Sequence, residues 1–429
     1  MVFRPELSWE FSSADEIQSR TLRALRNHVR HLKDVSPYYR EVLAHVEPDD
    51  ITDVGAYARL PLTDKQTVST HTNKFLAVPP ESVVETVVTS GSTGHPLIYA
   101  MTASDLDRLS YNEALCFHAT GVTSSDIAQI FVSLDRLFIA GMAYYRGLTL
   151  LGANTARIGV LPPDMQRHYL ELLRPTVIVG VPSFLRKLST QLVQKGFDTR
   201  NSTIRKIICI GESIRTQDMQ LNAVGKTLEE MYRAQVFSTL GITELAIGFC
   251  ECTAQCGGHA HPELVYPEIV DDQGNTVPDG APGELVATPL GVEAMPLLRY
   301  RTGDITFRIS EPCACGRNAC RIGPILSRKS QMIKLKGTTV YPLTITNALD
   351  EIDEIEDYII ILEGDSSLSD QVTVHVASPA SAVPAIAEHL RARARVSFPV
   401  LVSNEKTIHA LRGDARKKVR VLDKRGAPR

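Results

Sequence analysis

The sequence has no apolar run near the roughly 18 residues that a membrane span needs. Its first residues, Met1-Val2-Phe3-Arg4-Pro5-Glu6, lack the basic region and apolar stretch of a secretory signal. It has no surplus of positive charge, since 46 Lys and Arg stand against 49 Asp and Glu, a net charge of −3. Neither a membrane nor nucleic acid is therefore an expected partner. Internal repeats and low-complexity segments are missing as well. So are the GxxxxGK[ST] phosphate loop, the HExxH zinc helix and the GxSxG nucleophile elbow, which sets those three chemistries aside.

What is present is ordinary for a soluble globular chain. Apolar residues make up 43% and charged residues 22%. A length of 429 residues predicts two or three domains. A cytoplasmic location is expected, and there eight cysteines read as thiols or metal ligands rather than disulfides.

Residues 13–35 have the pattern of an amphipathic helix, with Ser13 and Glu16 at capping-box spacing and Ser36-Pro37 as its stop. In the middle, short β-branched runs at 127–133, 154–160, 176–181, 204–210 and 234–238 alternate with helix-like stretches such as 163–173 and 183–195. This alternation predicts parallel strands with crossover helices, and function in the loops at the strands' C-terminal ends. Runs at 264–270 and 283–288 with turn-forming residues between them predict antiparallel sheet. Strand-like 358–363 and 371–377, then helix-like 383–395, predict a compact α+β unit. The tail, 412–429, reads as basic and polar.

Three motifs could carry chemistry. Thr89-Ser90-Gly91-Ser92-Thr93-Gly94 follows an apolar stretch, and its hydroxyls and backbone N–H groups could surround phosphate oxygens. The alternative is a flexible surface turn. Ser238-Thr239-Leu240-Gly241-Ile242-Thr243-Glu244 reads as a strand-end loop able to hold Mg²⁺ and phosphate, or simply as a helix start. Tyr300-Arg301-Thr302-Gly303-Asp304 offers a carboxylate that could accept from two ribose hydroxyls, or an ordinary turn.

Taken in order, these pieces resemble the adenylate-forming acyl-CoA synthetases, and within them the phenylacetate–CoA ligase-like branch. Further matching stretches are Ser36-Pro37-Tyr38-Tyr39-Arg40, Leu60-Pro61-Leu62-Thr63-Asp64-Lys65, Val179-Gly180-Val181-Pro182-Ser183, Glu284-Leu285-Val286 and Gly337-Thr338-Thr339-Val340-Tyr341-Pro342. The resemblance runs from about residue 36 to the tail. It implies that Thr89, Ser90, Gly91, Ser92, Thr93 and Gly94 wrap the ATP phosphates, with Thr239 and Thr243 nearby and Glu244 on Mg²⁺. It implies Gly211 and Glu212 beside adenine, and Asp304 on the ribose with Arg328 at the domain junction. Val421-Leu422-Asp423-Lys424-Arg425 matches the family's ending and points to Lys417 as the catalytic lysine, with Lys418 adjacent. Read without the resemblance, those lysines are a solvated basic tail.

Departures are also visible. His95 stands where the family often has Lys, Leu240 where an aromatic usually stacks on adenine, and Ser330 and Gln331 replace an Asp pair. Tyr144, Tyr145, Arg146 and Phe184 are the candidates for an aryl-acid pocket. Core packing for the aromatics, and an ion pair for Arg146, are the alternatives.

Six cysteines fall in two groups: Cys250, Cys252 and Cys256, with His259 and His261 just after, and Cys313, Cys315 and Cys320. Two such groups in a reduced chain suggest tetrahedral Zn²⁺, against unligated thiols as the alternative. Branch members that carry the stretch seen here as Cys313-Ala314-Cys315-Gly316-Arg317 also carry an upstream Cys…His pair. The resemblance thereby implies Cys252, His259, Cys313 and Cys315 as ligands of a structural site. Cys116 and Cys209 read as core residues.

The expected fold is α/β. A large N-terminal domain (1–327) combines parallel sheets with an antiparallel β subdomain, and a small mobile α+β lid spans 331–429. The expected function is ATP- and Mg²⁺-dependent activation of an aromatic carboxylic acid to an acyl-adenylate, followed by transfer to coenzyme A. A carrier-protein thiol or an amine as acceptor is one alternative. A catalytically inactive, zinc-stabilised nucleotide-binding protein is another, and a homodimer is a further possible assembly.

Overall fold

A computed structural model describes residues 3–89, 97–135, 137–335, 338–364, 370–413 and 419–425. They form two compact units, one built from 1–213, 227–302 and 306–324, the other from 214–226, 303–305 and 325–429.

The first unit is organised around a nine-stranded sheet. Asn154–Ala156, Ile127–Ile130, Val177–Gly180, Lys206–Ile210 and Gln235–Ile242 run parallel in that spatial order. Their β-branched side chains are buried almost continuously, as expected for parallel strands covered on both faces. The helices Pro163–Leu173 and Pro182–Gln194 follow the strands as the alternation predicts, each with proline in its first turn. The sheet then turns antiparallel through Ile247–Glu251, Gly258–His259, Arg321–Ile322 and Arg308–Ile309. A further antiparallel sheet contains Val265–Val270 paired with Gly283–Pro289, where turn chemistry placed them.

One expectation is corrected here. Residues 238–242 are not a loop, because the strand Gln235–Ile242 continues through them. Their Ser/Thr/Gly composition imitates a turn, but Ile247–Glu251 folds back and supplies backbone partners as far as Ile242↔Ile247.

The helix Ala14–Val35 starts where Ser13 accepts a hydrogen bond from the Glu16 amide at 3.2 Å. Leu25, Val29 and Leu32 form its buried stripe. His28 lies in the same stripe, with Nε2 2.9 Å from the Leu297 carbonyl oxygen. Burial pushes the imidazole down to about 4, so it is held neutral. The unfolded chain then binds a proton more readily than the fold below the ordinary value of 6.5. Stability from this group is complete above pH 6.5 and falls as pH drops toward about 4, by ~3 kcal/mol at most. His28→Gln is expected to flatten this part of the acid limb in urea midpoints measured against pH. An unchanged slope would contradict it.

The second unit carries its own four-stranded sheet, ordered Val400–Val402, Gln371–Ala377, Asp357–Glu363, Val421–Asp423. The central pair is antiparallel and the two outer strands are parallel to their neighbours. Helices Pro342–Asp350 and Val383–Ala394 cover it, with Ile345, Leu349, Ile360, Val374 and Leu390 in the core. The tail is more than a solvated strip: Val421–Asp423 is an edge strand, buried through Val421. Arginines fix it on both sides. Arg412 pairs with Asp357 at 2.8 Å and donates to the Val419 carbonyl at 3.0 Å. Arg420 pairs with Asp350 at 2.6 Å, and Arg425 with Asp370 at 2.9 Å.

Candidate active site and metal centre

Within the first unit, Thr89 closes the base of the hydroxyl-rich segment. Its amide donates to the Leu97 carbonyl at 3.0 Å and its Oγ1 accepts from the Leu97 amide at 3.1 Å. Ser90, Gly91, Ser92, Thr93 and Gly94 lie outside the described residues, as do His95, Gly337, Lys417 and Lys418.

Gly211 and Glu212 follow directly on the parallel strand Lys206–Ile210. Gly211 has φ +77°, the left-handed conformation that turns the chain off the sheet. The Glu212 carboxylate accepts from the Ser183 amide at 3.0 Å and from its hydroxyl at 2.7 Å. It therefore ties the ends of two neighbouring parallel strands together. Thr239 is buried within the ladder opposite Cys250, its hydroxyl 3.4 Å from the Phe249 carbonyl. Thr243 and Glu244 occupy the single turn Thr243–Leu245, which ends at Ala246 in the left-handed region, φ +47°. The Glu244 carboxylate lies 3.9 Å from Lys65 Nζ and is largely buried.

Asp304 and Arg328 belong to the second unit and face each other across an antiparallel pairing. Arg328 Nη1 is 2.9 Å from the buried Asp304 carboxylate.

The four acid-pocket candidates separate. Tyr144 is buried in the helix Ile139–Leu151, edge-on to Phe117 at 5.9 Å. Tyr145 is half-buried under the Arg157 guanidinium at 4.6 Å. Phe184 is half-buried in the first turn of Pro182–Gln194. Arg146 follows the ion-pair alternative, reaching Asp107 at 2.8 Å and the Ser110 hydroxyl at 2.7 Å. Both partners lie on the helix Ala103–Ala119.

The cysteine groups converge. The ligand atoms of Cys252, His259, Cys313 and Cys315 all lie within 4.8 Å of one another. Cys252 Sγ is 3.5 Å from Cys313 Sγ, and Cys315 Sγ is 3.5 Å from His259 Nε2. Thiolates about 2.3 Å from a tetrahedral zinc ion are about 3.8 Å apart, so three sulfurs and one imidazole at these spacings fit that ion. Burial pushes the Cys315 thiol up, but hydrogen bonds from His259 and Arg317 outweigh it and hold the thiol at about 5. A thiolate is thus available at neutral pH.

The alternates go elsewhere. His261 Nδ1 is 3.0 Å from Glu10 and its Nε2 is 3.4 Å from Cys116. Cys250 sits in the strand ladder, and Cys256 and Cys320 do not join the group. Sequence reasoning missed Glu10, which lies on a short turn near the N-terminus. Buried beside His261 and 3.2 Å from Arg317 Nε, it braces the loop that carries Cys313 and Cys315. Nothing in the local sequence marks it out.

Comparison with known proteins gives this arrangement a class. The profile of the AMP-binding enzyme family matches residues 20–292, and the chain belongs to that family. It is 30% identical over 389 residues to the phenylacetate–coenzyme A ligase of Thermus thermophilus, covering 88% of this chain and 85% of that protein. A phenylacetate–coenzyme A ligase of Pseudomonas putida is 28% identical over 375 residues, covering 86% and 83%. In fold the chain is similar to the crystal structure of 2-hydroxyisobutyryl-CoA ligase in its postadenylation state. That match has a TM-score of 0.85 at 20% identity, covering 97% of this chain and 91% of that one. Among the described residues no helix is long and apolar enough to cross a membrane.

Proposed function

We propose that this chain is an AMP-forming acid–coenzyme A ligase acting on an aromatic acid. The observation that carries the reading is the match to phenylacetate–coenzyme A ligases along most of both chains. The substrate carboxylate attacks the α-phosphorus of ATP, the bond to the bridging oxygen breaks, and pyrophosphate leaves. The coenzyme A thiol, losing its proton, then attacks the acyl carbon and AMP departs.

Each group has a charge to meet. Negative charge spreads over the phosphoryl oxygens in the first step. The segment Thr89–Gly94 surrounds the leaving phosphates with backbone donors, and Lys417 meets the developing charge. Glu244, with Thr243 beside it, holds Mg²⁺, which when bound supplies further neutralisation. Gly211 and Glu212 border adenine, with Thr239 at the neighbouring strand, and Asp304 accepts from the ribose hydroxyls beside Arg328. The chain works as an adenylation domain over 1–327 and a lid over 331–429 that turns at Arg328–Ser330 between the two steps. Cys252, His259, Cys313 and Cys315 hold a structural zinc ion that pins two loops.

The test is acid-dependent ATP–pyrophosphate exchange across aryl, heteroaryl and short aliphatic acids, with and without coenzyme A. Exchange with an aryl acid, and AMP release stimulated by coenzyme A, are expected. A protein that binds Mg·ATP yet exchanges with no acid would overturn the reading.

A further inference from the structure

The helix Ala103–Ala119 buries five polar side chains: Asp105, Arg108, Ser110, Asn112 and Glu113. Four of them are fully engaged with the protein. Asp105 caps its own helix and accepts from the Glu293 and Ala294 amides. Arg108 donates to four backbone carbonyls. Ser110 donates to the Leu106 carbonyl, and Asn112 exchanges two hydrogen bonds with Gly248. Glu113 differs: it is 4% exposed, and no described residue hydrogen-bonds its carboxyl. Burial alone pushes that carboxyl up to about 8. A polar partner that reaches a desolvated carboxyl stabilises it, on the order of 1–3 kcal/mol.

The surroundings show where such a partner can enter. A Cβ at Gly147 would lie 2.4 Å from the Glu113 Cβ, so a glycine there lets the two helices close and holds Glu113 inward. Beneath them, Gly241 and Gly248 stand directly opposite each other in the sheet, where paired residues share a face. A Cβ on Gly248 would meet Glu113 Oε1 at 3.1 Å. Among the described residues, one on Gly241 would find a single neighbour within 4 Å, the Tyr144 hydroxyl at 3.9 Å. Gly241 is itself exposed, so among the described residues the bare patch of sheet has open space above it, with Tyr144 at its edge and Glu113 over the adjoining glycine. Gly241 lies two residues before Thr243, which with Glu244 opens the following turn.

We propose that Glu113, seconded by Tyr144, determines specificity by accepting a hydrogen bond from an amino or hydroxyl substituent on the acid substrate. The inference rests on the ligase reading above. An acid whose carboxylate lies toward Glu244 extends over Gly241, and its substituent reaches Glu113. A methyl group in the same place leaves the carboxyl unsatisfied, the situation in which polar sites discriminate most strongly.

The experiment is pyrophosphate exchange with one aryl acid and its ring-methyl, ring-amino and ring-hydroxyl forms, on the wild type, Glu113→Gln and Glu113→Leu. Mg·ATP binding by calorimetry checks that each variant is folded. The wild type should favour a donor-bearing acid over its methyl analogue by at least about 100-fold in kcat/KM. Glu113→Gln, which keeps an acceptor, should retain part of that preference, and Glu113→Leu should lose it and gain on the methyl acid. Whichever of the amino and hydroxyl acids leads identifies the donor. A wild type that uses the parent or methyl acid equally well overturns this inference and leaves the ligase reading standing. So does a preference unchanged in folded Glu113→Leu, or in Glu113→Gln and Tyr144→Phe together if the leucine variant does not fold. Absence of exchange with every acid overturns both.

Discussion

Lys417→Ala should bind Mg·ATP as the wild type does and form acyl-adenylate about 100- to 1,000-fold more slowly. The magnitude follows from what one preorganised donor contributes to an oxyanion-like transition state, about 2.7–4 kcal/mol. The lysine acts on charge that develops only as pyrophosphate departs, so its loss appears in kcat and leaves ATP affinity nearly untouched. Lys418→Ala is the matched control, expected to fall by only a few-fold. Single-turnover formation of the adenylate separates this step from thiol transfer. Full activity in Lys417→Ala would end the assignment, and collapse in Lys418→Ala instead would move it by one residue.

The second large effect concerns the cysteine group. Purified protein should contain about one zinc ion per chain, and Cys252→Ser or Cys313→Ser should lose it. The four ligand atoms come from segments far apart in sequence, so losing the ion releases a cross-link as well as leaving thiols buried. A loss of about 4 kcal/mol lowers Tm by roughly 5 °C in a chain of 429 residues, because the unfolding entropy grows with length. Cys256→Ser and Cys320→Ser should keep both metal and Tm. At low temperature, pyrophosphate exchange should survive metal loss in whatever fraction stays folded, since no ligand of this group touches the reacting atoms in the proposed mechanism. Protein prepared with zinc in the medium yet free of it, or serine variants with unchanged metal content, would refute the site.

These two predictions draw on different kinds of legibility. The cysteine group could be read early because clustered thiols in a reduced chain have few other uses, and the structure brings four of the candidate ligands together. The parallel strands were equally legible, since runs such as Ile207-Ile208-Cys209-Ile210 fit little else than a strand buried on both faces. Residues 238–242 were not, because their composition is that of a turn and only the returning strand Ile247–Glu251 makes them a ladder. Val421–Asp423 was hidden by the basic residues around it, which pair with aspartates brought from other elements. Glu113 is the extreme case. In sequence it is a glutamate in a helix, which reads as a solvated face. Two distant glycines, Gly147 and Gly248, are what make it interior. Arg146, a pocket candidate in sequence, pairs with Asp107 on the neighbouring helix, a partner that local sequence does not reveal.

The clasp made by Arg412 closes a ring of chain, because its guanidinium joins Asp357 to the Val419 carbonyl. By sequence, Lys417 belongs to that ring. In the mechanism proposed above its ammonium acts as a tethered reagent, and tether length then bears on its local concentration. Doubling a loop costs only about 0.6 kcal/mol of closure entropy. Tethered concentration, in contrast, falls roughly as the −3/2 power of tether length. Stability is therefore nearly blind to the size of this ring, while under the proposed mechanism the rate of the first half-reaction depends on it. The salt bridge at Asp357 is in that sense a gauge of reach, because it fixes Arg412, where the ring closes, to the sheet.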